Sequence, residues 1–123
     1  MSVTMEQLND ILQAFNDHDL DKIMDAFADD GEFLLARGTE AHGERFVGKA
    51  AIRKILGARF EMMPDIQWRN GRSWIAGNKA VSEWHVTGTA AAGRIDCLGC
   101  DLWEFKNGKV IKKDTYYKQV APA

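Results

Sequence analysis

Asp101 and Lys113 are the residues of this chain whose types and spacing could do proton chemistry. They lie on two strand-like runs joined by a short turn at Asn107-Gly108. A carboxyl group in apolar surroundings has its pKa raised and can donate a hydrogen bond as the neutral acid. A cation beside it favours the carboxylate instead. Asp101 would then be a base, and Lys113 would offer positive charge to a substrate oxyanion. A third reading is a salt bridge that only fixes the sheet register. Tyr117 carries an apolar body and a hydroxyl that could reach the same volume. His42 stands between Glu40 and Glu44 in a polar loop and could titrate near neutrality, or simply be exposed. Phe15, Trp84, Val86, Trp103 and Thr115 complete the set of candidate ligand-binding residues.

Three other groups are weaker candidates. Glu83 and His85 make an E-x-H pair, but a metal site needs a third ligand and none is evident. His18 sits in an Asp-rich turn and is expected to face solvent. Cys97 and Cys100 form a C-x-x-C pair inside a strand-like run. In a strand their Cα atoms would lie roughly 10 Å apart, beyond the roughly 7 Å that a disulfide tolerates. Two reduced thiols are expected, unless Gly99 introduces a bulge.

These residues need elements to position them. Thr4 and Gln7 form a capping box for a helix over residues 4–17, with Leu8, Ile11, Leu12 and Phe15 at helical spacing. Asp19 caps a second helix carrying Leu20, Ile23, Met24 and Phe27, with Gly31 as its stop. Glu32 to Ala36 reads as a short strand, and 37–47 as a loop. A third helix runs from Gly48 to Pro64 with Ile52, Ile55, Leu56, Phe60 and Met63 on its apolar face. The period then changes to two. Four strands are expected: Ile66 to Ile75, Lys79 to Thr89, Arg94 to Lys106 and Lys109 to Val120. Helices first and hairpins later argue α+β with an antiparallel sheet.

The last turn decides which residues meet. A two-residue Asn107-Gly108 loop would set Asp101 against Asp114. A three-residue Lys106-Asn107-Gly108 loop with a bulge would set Asp101 against Lys113 and Trp103 beside Ile111. Opposite charges favour the second. One face then carries Cys97, Gly99, Asp101, Trp103, Ile111, Lys113, Thr115 and Tyr117. On the preceding strand Ser82, Trp84, Val86 and Gly88 face inward, and Val81, Glu83, His85 and Thr87 outward.

The whole-chain figures exclude several classes. The 123 residues suit one domain, 1–123, with one core. Hydrophobic residues at 46% and charged residues at 28% describe an ordinary globular chain. A net charge of −2 supplies no basic field for nucleic acid. No apolar run approaches the roughly 20 residues of a membrane span. The opening MSVTMEQLND lacks the features of a signal peptide, so cytoplasmic retention is expected. No G-x-G-x-x-G, P-loop, H-E-x-x-H or G-x-S-x-G motif is present, and no cofactor is indicated.

Taken together, certain segments resemble a known family. They are Asn16-Asp17-His18-Asp19-Leu20-Asp21, Phe27-Ala28-Asp29-Asp30, Gly48-Lys49-Ala50-Ala51-Ile52-Arg53, Cys100-Asp101-Leu102-Trp103-Glu104-Phe105 and Asn107-Gly108-Lys109-Val110. The chain resembles the SnoaL-like polyketide cyclases and ketosteroid isomerases of the nuclear transport factor 2-like superfamily. The resemblance implies a cystatin-like, cone-shaped α+β fold. In it, three helices pack on a strongly curved, mainly antiparallel sheet around a pocket. It also implies a small apolar ligand, and a homodimer formed through the outer sheet face that carries Glu83 and His85. Asp101 matches the isomerases' hydrogen-bonding aspartic acid, but Leu35 and Ile11 stand where their base and tyrosine would be. The isomerase mechanism itself is therefore not expected. The family implies either proton-transfer chemistry of isomerase, dehydratase or cyclase type, or a binding or dimerisation module without catalysis. A cone filled by its own tryptophans is a further reading.

Overall fold

The computed structural model describes residues 3–121. The Thr4 side chain accepts the Gln7 N–H at 3.1 Å and opens α1 (Met5–Asn16). Leu8, Ile11, Ala14 and Phe15 recur at helical spacing and are buried. The Asp19 carboxylate accepts the Lys22 N–H at 3.1 Å and opens α2 (Leu20–Ala26). α3 (Lys49–Met62) follows a left-handed Gly48 and buries Ile52, Leu56 and Phe60.

The second helix is shorter than its sequence suggests. The backbone turns extended at Phe27, and β1 (Phe27–Leu34) begins there. Phe27 is fully buried and pairs in parallel with Val110. Gly31 is therefore a strand residue and not a helix stop. A Cβ on it would lie 3.1 Å from the Phe27 ring and from the Ala28 and Val110 carbonyls. Within the expected loop, β2 (Arg45–Val47) pairs antiparallel with β1. Three partly polar residues carry too little alternation to be read as a strand.

β3 (Gln67–Ala76), β4 (Lys79–Ala90), β5 (Gly93–Lys106) and β6 (Lys109–Tyr117) follow as expected in kind. The sheet has six strands in the order β2-β1-β6-β5-β4-β3. Among the described residues only the β1–β6 pair is parallel.

The β5–β6 register differs from both sequence alternatives. Asn107 and Gly108 both have positive φ. They close a two-residue turn with Lys106 opposite Lys109. The register then shifts, with Phe105 opposite Val110 but Glu104 opposite Lys112. Ile111 is the extra residue of this bulge. Asp101 therefore faces Thr115, and Trp103 faces Lys113. The expected Asp101–Lys113 and Trp103–Ile111 cross-strand pairs are displaced by two residues, which preserves the face each side chain occupies. Gly99 carries no bulge, because β4 and β5 stay in register from Lys79–Glu104 to Ala90–Gly93. The three-residue spacing of Cys97 and Cys100 then puts them on opposite faces, and both thiols are free.

His18 is another correction. It has a positive φ, stacks on Phe60 at 4.2 Å and places Nε2 2.7 Å from the Ile66 carbonyl. Beside it, the Asn16 side chain exchanges two hydrogen bonds with the Trp68 backbone, at 2.8 and 3.0 Å. The turn expected to face solvent is thus a clasp between the helices and β3.

Candidate active site

Alternation along β5 and β6 turns Asp101, Lys113, Thr115 and Tyr117 toward the concave side of the sheet. Asp101 is 3% exposed and Lys113 is 5% exposed. Lys113 Nζ donates to Asp101 Oδ1 and to Thr115 Oγ1, both at 2.9 Å. Thr115 Oγ1 donates to the same Asp101 oxygen at 2.7 Å. Trp84 Nε1 donates to the other, Oδ2, at 2.9 Å. Both carboxylate oxygens are therefore engaged, as burial of a charge requires. Behind this group Trp103 Nε1 donates to Ser82 Oγ at 3.2 Å, and Ser82 Oγ lies 3.0 Å from Ser73 Oγ.

The lysine sits among rings. Its Nζ lies 4.7 Å from the Phe33 centroid, 5.1 Å from Phe15 and 5.6 Å from Trp103. Cation–π attraction offsets part of its lost hydration. Burial nevertheless holds the Lys113 ammonium below the usual lysine range, and the Asp101 carboxylate opposes that shift. A lysine of this kind releases its proton more readily than one in water, and the oxygens of Asp101 and Thr115 are within reach to exchange it.

A cavity of about 30 Å³ opens against this cluster. Phe15, Trp84, Val86, Lys113, Thr115 and Tyr117 are on its wall. That volume suits a water molecule, and a larger guest requires side chains at the mouth to move. Asp101 is not on the wall. It lies behind Lys113 and Thr115 and meets the cavity through them. Trp103, at 1% exposure, is a core residue beneath the cluster and does not line the cavity. His42 is exposed, bonds the neighbouring Gly43 carbonyl through Nδ1 at 2.6 Å, and does not line it either. Its loop folds back through Leu35 N to Glu44 O and Glu44 N to Arg37 O bonds, which directs that side chain outward.

Sequence reasoning missed Phe33, Ile55, Arg59, Trp68 and Ile95, all of them on the wall. For Arg59 a signal existed. It follows Ile52, Ile55 and Leu56 at helical spacing, so a cation stands on the apolar face of α3.

The outer face of the same sheet has a different character. Trp74, Leu98, Leu102 and Tyr116 are exposed there. Glu83 pairs with Arg72, and His85 with Asp96. Cys100 on this face and Cys97 on the inner one both have raised pKa values, chiefly from burial, which makes them weak nucleophiles. Among the described residues no helix is long and apolar enough to cross a membrane.

Solved structures share this architecture at low sequence identity. A protein from Xanthomonas campestris, provisionally named a polyketide cyclase, is 20% identical, with TM-score 0.80 over 92% of this chain and 88% of that one. A Catenulispora acidiphila protein of ketosteroid isomerase-like fold, in complex with trimethylamine, is 16% identical, with TM-score 0.79 over 94% and 88%. TerC, co-crystallised with polyporic acid, is 18% identical, with TM-score 0.77 over 93% and 90%. Among curated proteins none matches the sequence. At these identities the likeness establishes the fold, which is cystatin-like and nuclear transport factor 2-like. The profile of the SnoaL-like domain matches residues 8–113, and the chain belongs to that family.

Proposed function

We propose that the concave face is a small-molecule pocket for cofactor-independent proton transfer on a small apolar carbonyl or hydroxyl compound, of isomerase, dehydratase or cyclase type. One observation carries this reading. Asp101 and Lys113 are the charged side chains buried in the interior among the described residues, and Lys113 lies directly on the cavity wall. Lys113 is the group that meets the substrate. Its ammonium stabilises a developing oxyanion or delivers a proton to it. Asp101 holds the lysine in place and receives, through the Thr115 hydroxyl, the proton that leaves the substrate, so that a proton given by Lys113 is balanced by one taken up on Asp101. Tyr117 offers a second hydroxyl at the wall. Trp84 fixes the carboxylate from the other side.

A binding module without turnover is the second reading. The small cavity and the apolar Leu35 and Ile11 at the isomerase positions favour it. The proposal extends to a homodimer through the exposed outer face, and to residence in the cytoplasm, which cell fractionation tests.

Native mass spectrometry of freshly purified protein addresses both assembly and ligand. A two-subunit mass with a retained apolar compound supports the proposal and identifies the substrate class. Assayed on that class, Asp101→Asn is expected to abolish turnover while ligand binding survives. Undiminished turnover in the variant overturns the catalytic reading and leaves the binding module.

A further inference from the structure

The cavity is not closed off from solvent. Leu35, Ile55, Arg59, Ile95 and Tyr117 line it, and the same five side chains also line an outer groove of about 710 Å³. The two volumes form one funnel, narrow at Lys113 and wide at the surface. Its wide part is cationic. Arg37, Arg59, Arg94 and Lys118 are on its wall, against one carboxylate, Asp96, among the described residues. That carboxylate is already engaged by His85 and Arg94. Among the described residues Arg37, Arg59 and Lys118 form no salt bridge. This concentration of positive charge occurs on a chain whose net charge is −2.

Arg59 holds the central place. It is part-buried on the apolar side of α3 and borders both the inner cavity and the outer groove. The inner charges do not occupy it, because Lys113 is neutralised by Asp101 at 2.9 Å. A guanidinium beside apolar wall, with no carboxylate of its own, presents paired N–H donors to a planar anion.

We infer that the funnel selects anionic amphiphiles: molecules with an apolar body that enters toward Lys113 and a carboxylate that stays at the mouth on Arg59, within the field of Arg37 and Lys118. The inference rests on the pocket reading above and adds the charge of the ligand to it. Arg59 is then a specificity-determining residue, and the neutral Asp101–Lys113 pair is left free for the reacting end.

Cinnamate and the equally shaped, uncharged cinnamamide separate the two ideas. Isothermal titration of the full chain is run with each probe at low and at high salt, on wild type, Arg59→Met and Arg59→Lys. Methionine keeps the apolar stem and removes the charge. Cinnamate is expected to bind about tenfold more tightly than cinnamamide at low salt, the size of one charge-assisted contact. High salt narrows that preference through the exposed cations. Arg59→Met abolishes the preference, chiefly by weakening cinnamate, and an unchanged far-UV circular dichroism spectrum and melting temperature show that the variant is folded. Arg59→Lys retains part of the preference. Equal binding of the two probes to wild type overturns the anion inference and leaves the pocket reading standing. A preference that survives Arg59→Met overturns the role of Arg59. Binding of neither probe overturns the pocket reading, and this inference with it.

Discussion

β5 shows two opposite departures from the usual placement of polar and apolar groups, on alternate residues of one strand. Its inner residues bury a charge, Asp101, between Cys97 and Trp103. Its outer residues expose Leu98 at 55% and Leu102 at 40%. A core built for stability alone would hold neither a carboxylate nor an ammonium, because desolvating both costs about as much as their attraction returns. A surface built for solubility alone would not place Leu98, Leu102, Tyr116 and Trp74 on one face. Local departures of this kind concentrate where a protein is used. The inner one is satisfied by hydrogen bonds within the chain, whereas among the described residues nothing covers the outer one.

Stability measurements sharpen this comparison. Lys113→Ala leaves the Asp101 carboxylate buried without its cation, and a loss of about 3–5 kcal/mol is expected in urea denaturation. Replacing both partners, Asp101→Leu with Lys113→Met, is expected to recover most of that loss, since no charge then remains to be buried. On the outer face Leu102→Ala should change the stability of the single subunit, measured at protein concentrations too low for dimers, by less than about 0.5 kcal/mol. Equal costs for Lys113→Ala and Leu102→Ala would break the distinction between the faces.

A second test reaches the support of the inner cluster. A Cβ at Gly99 would lie 2.5 Å from the Trp84 ring and 2.6 Å from the Tyr116 carbonyl. Gly99→Ala should therefore cost about 1–3 kcal/mol and displace the indole that donates to Asp101. A near-neutral result would mean that the Trp84 contact is loose.

The smallest effect lies at the rim. Asp65 accepts the Thr89 N–H at 2.8 Å, and that backbone hydrogen bond is the main cause of its lowered pKa. With the folded pKa below the ordinary carboxylate value, its contribution is present above that value and is lost as pH falls through the folded pKa. Asp65→Asn should flatten the acid limb of the stability profile, measured by circular dichroism. An unchanged limb would show that the Thr89–Asp65 hydrogen bond contributes nothing there.

Much of the inner face is legible in the sequence because alternation is local. Cys97, Asp101, Lys113, Thr115 and Tyr117 share a face in the sequence pattern and in the fold. Their pairing is not legible. Asn107-Gly108 indicates a tight turn, but a bulge at Ile111 moves the partner of Asp101 from the Asp114 of an unbulged two-residue turn, and from the Lys113 expected of a three-residue one, to Thr115. The lysine still reaches the carboxylate, diagonally, because its long side chain spans the offset. β2 escapes notice because so short a strand carries no periodic signal. The start of β1 reads as helix because the partner that draws Phe27 into the sheet, Val110, lies near the far end of the chain.

The amino-acid sequence by itself determined the order of the helices and long strands and the inward and outward sets along β4, β5 and β6. Each depends on periods and caps that act within a few residues. Only the tertiary structure decided the size of the cavity, the place of Asp101 behind Lys113 and the funnel with Arg59 at its neck. Those depend on how far side chains from α1, α3 and the sheet fill a common volume, and that balance of non-local packing has no period to read.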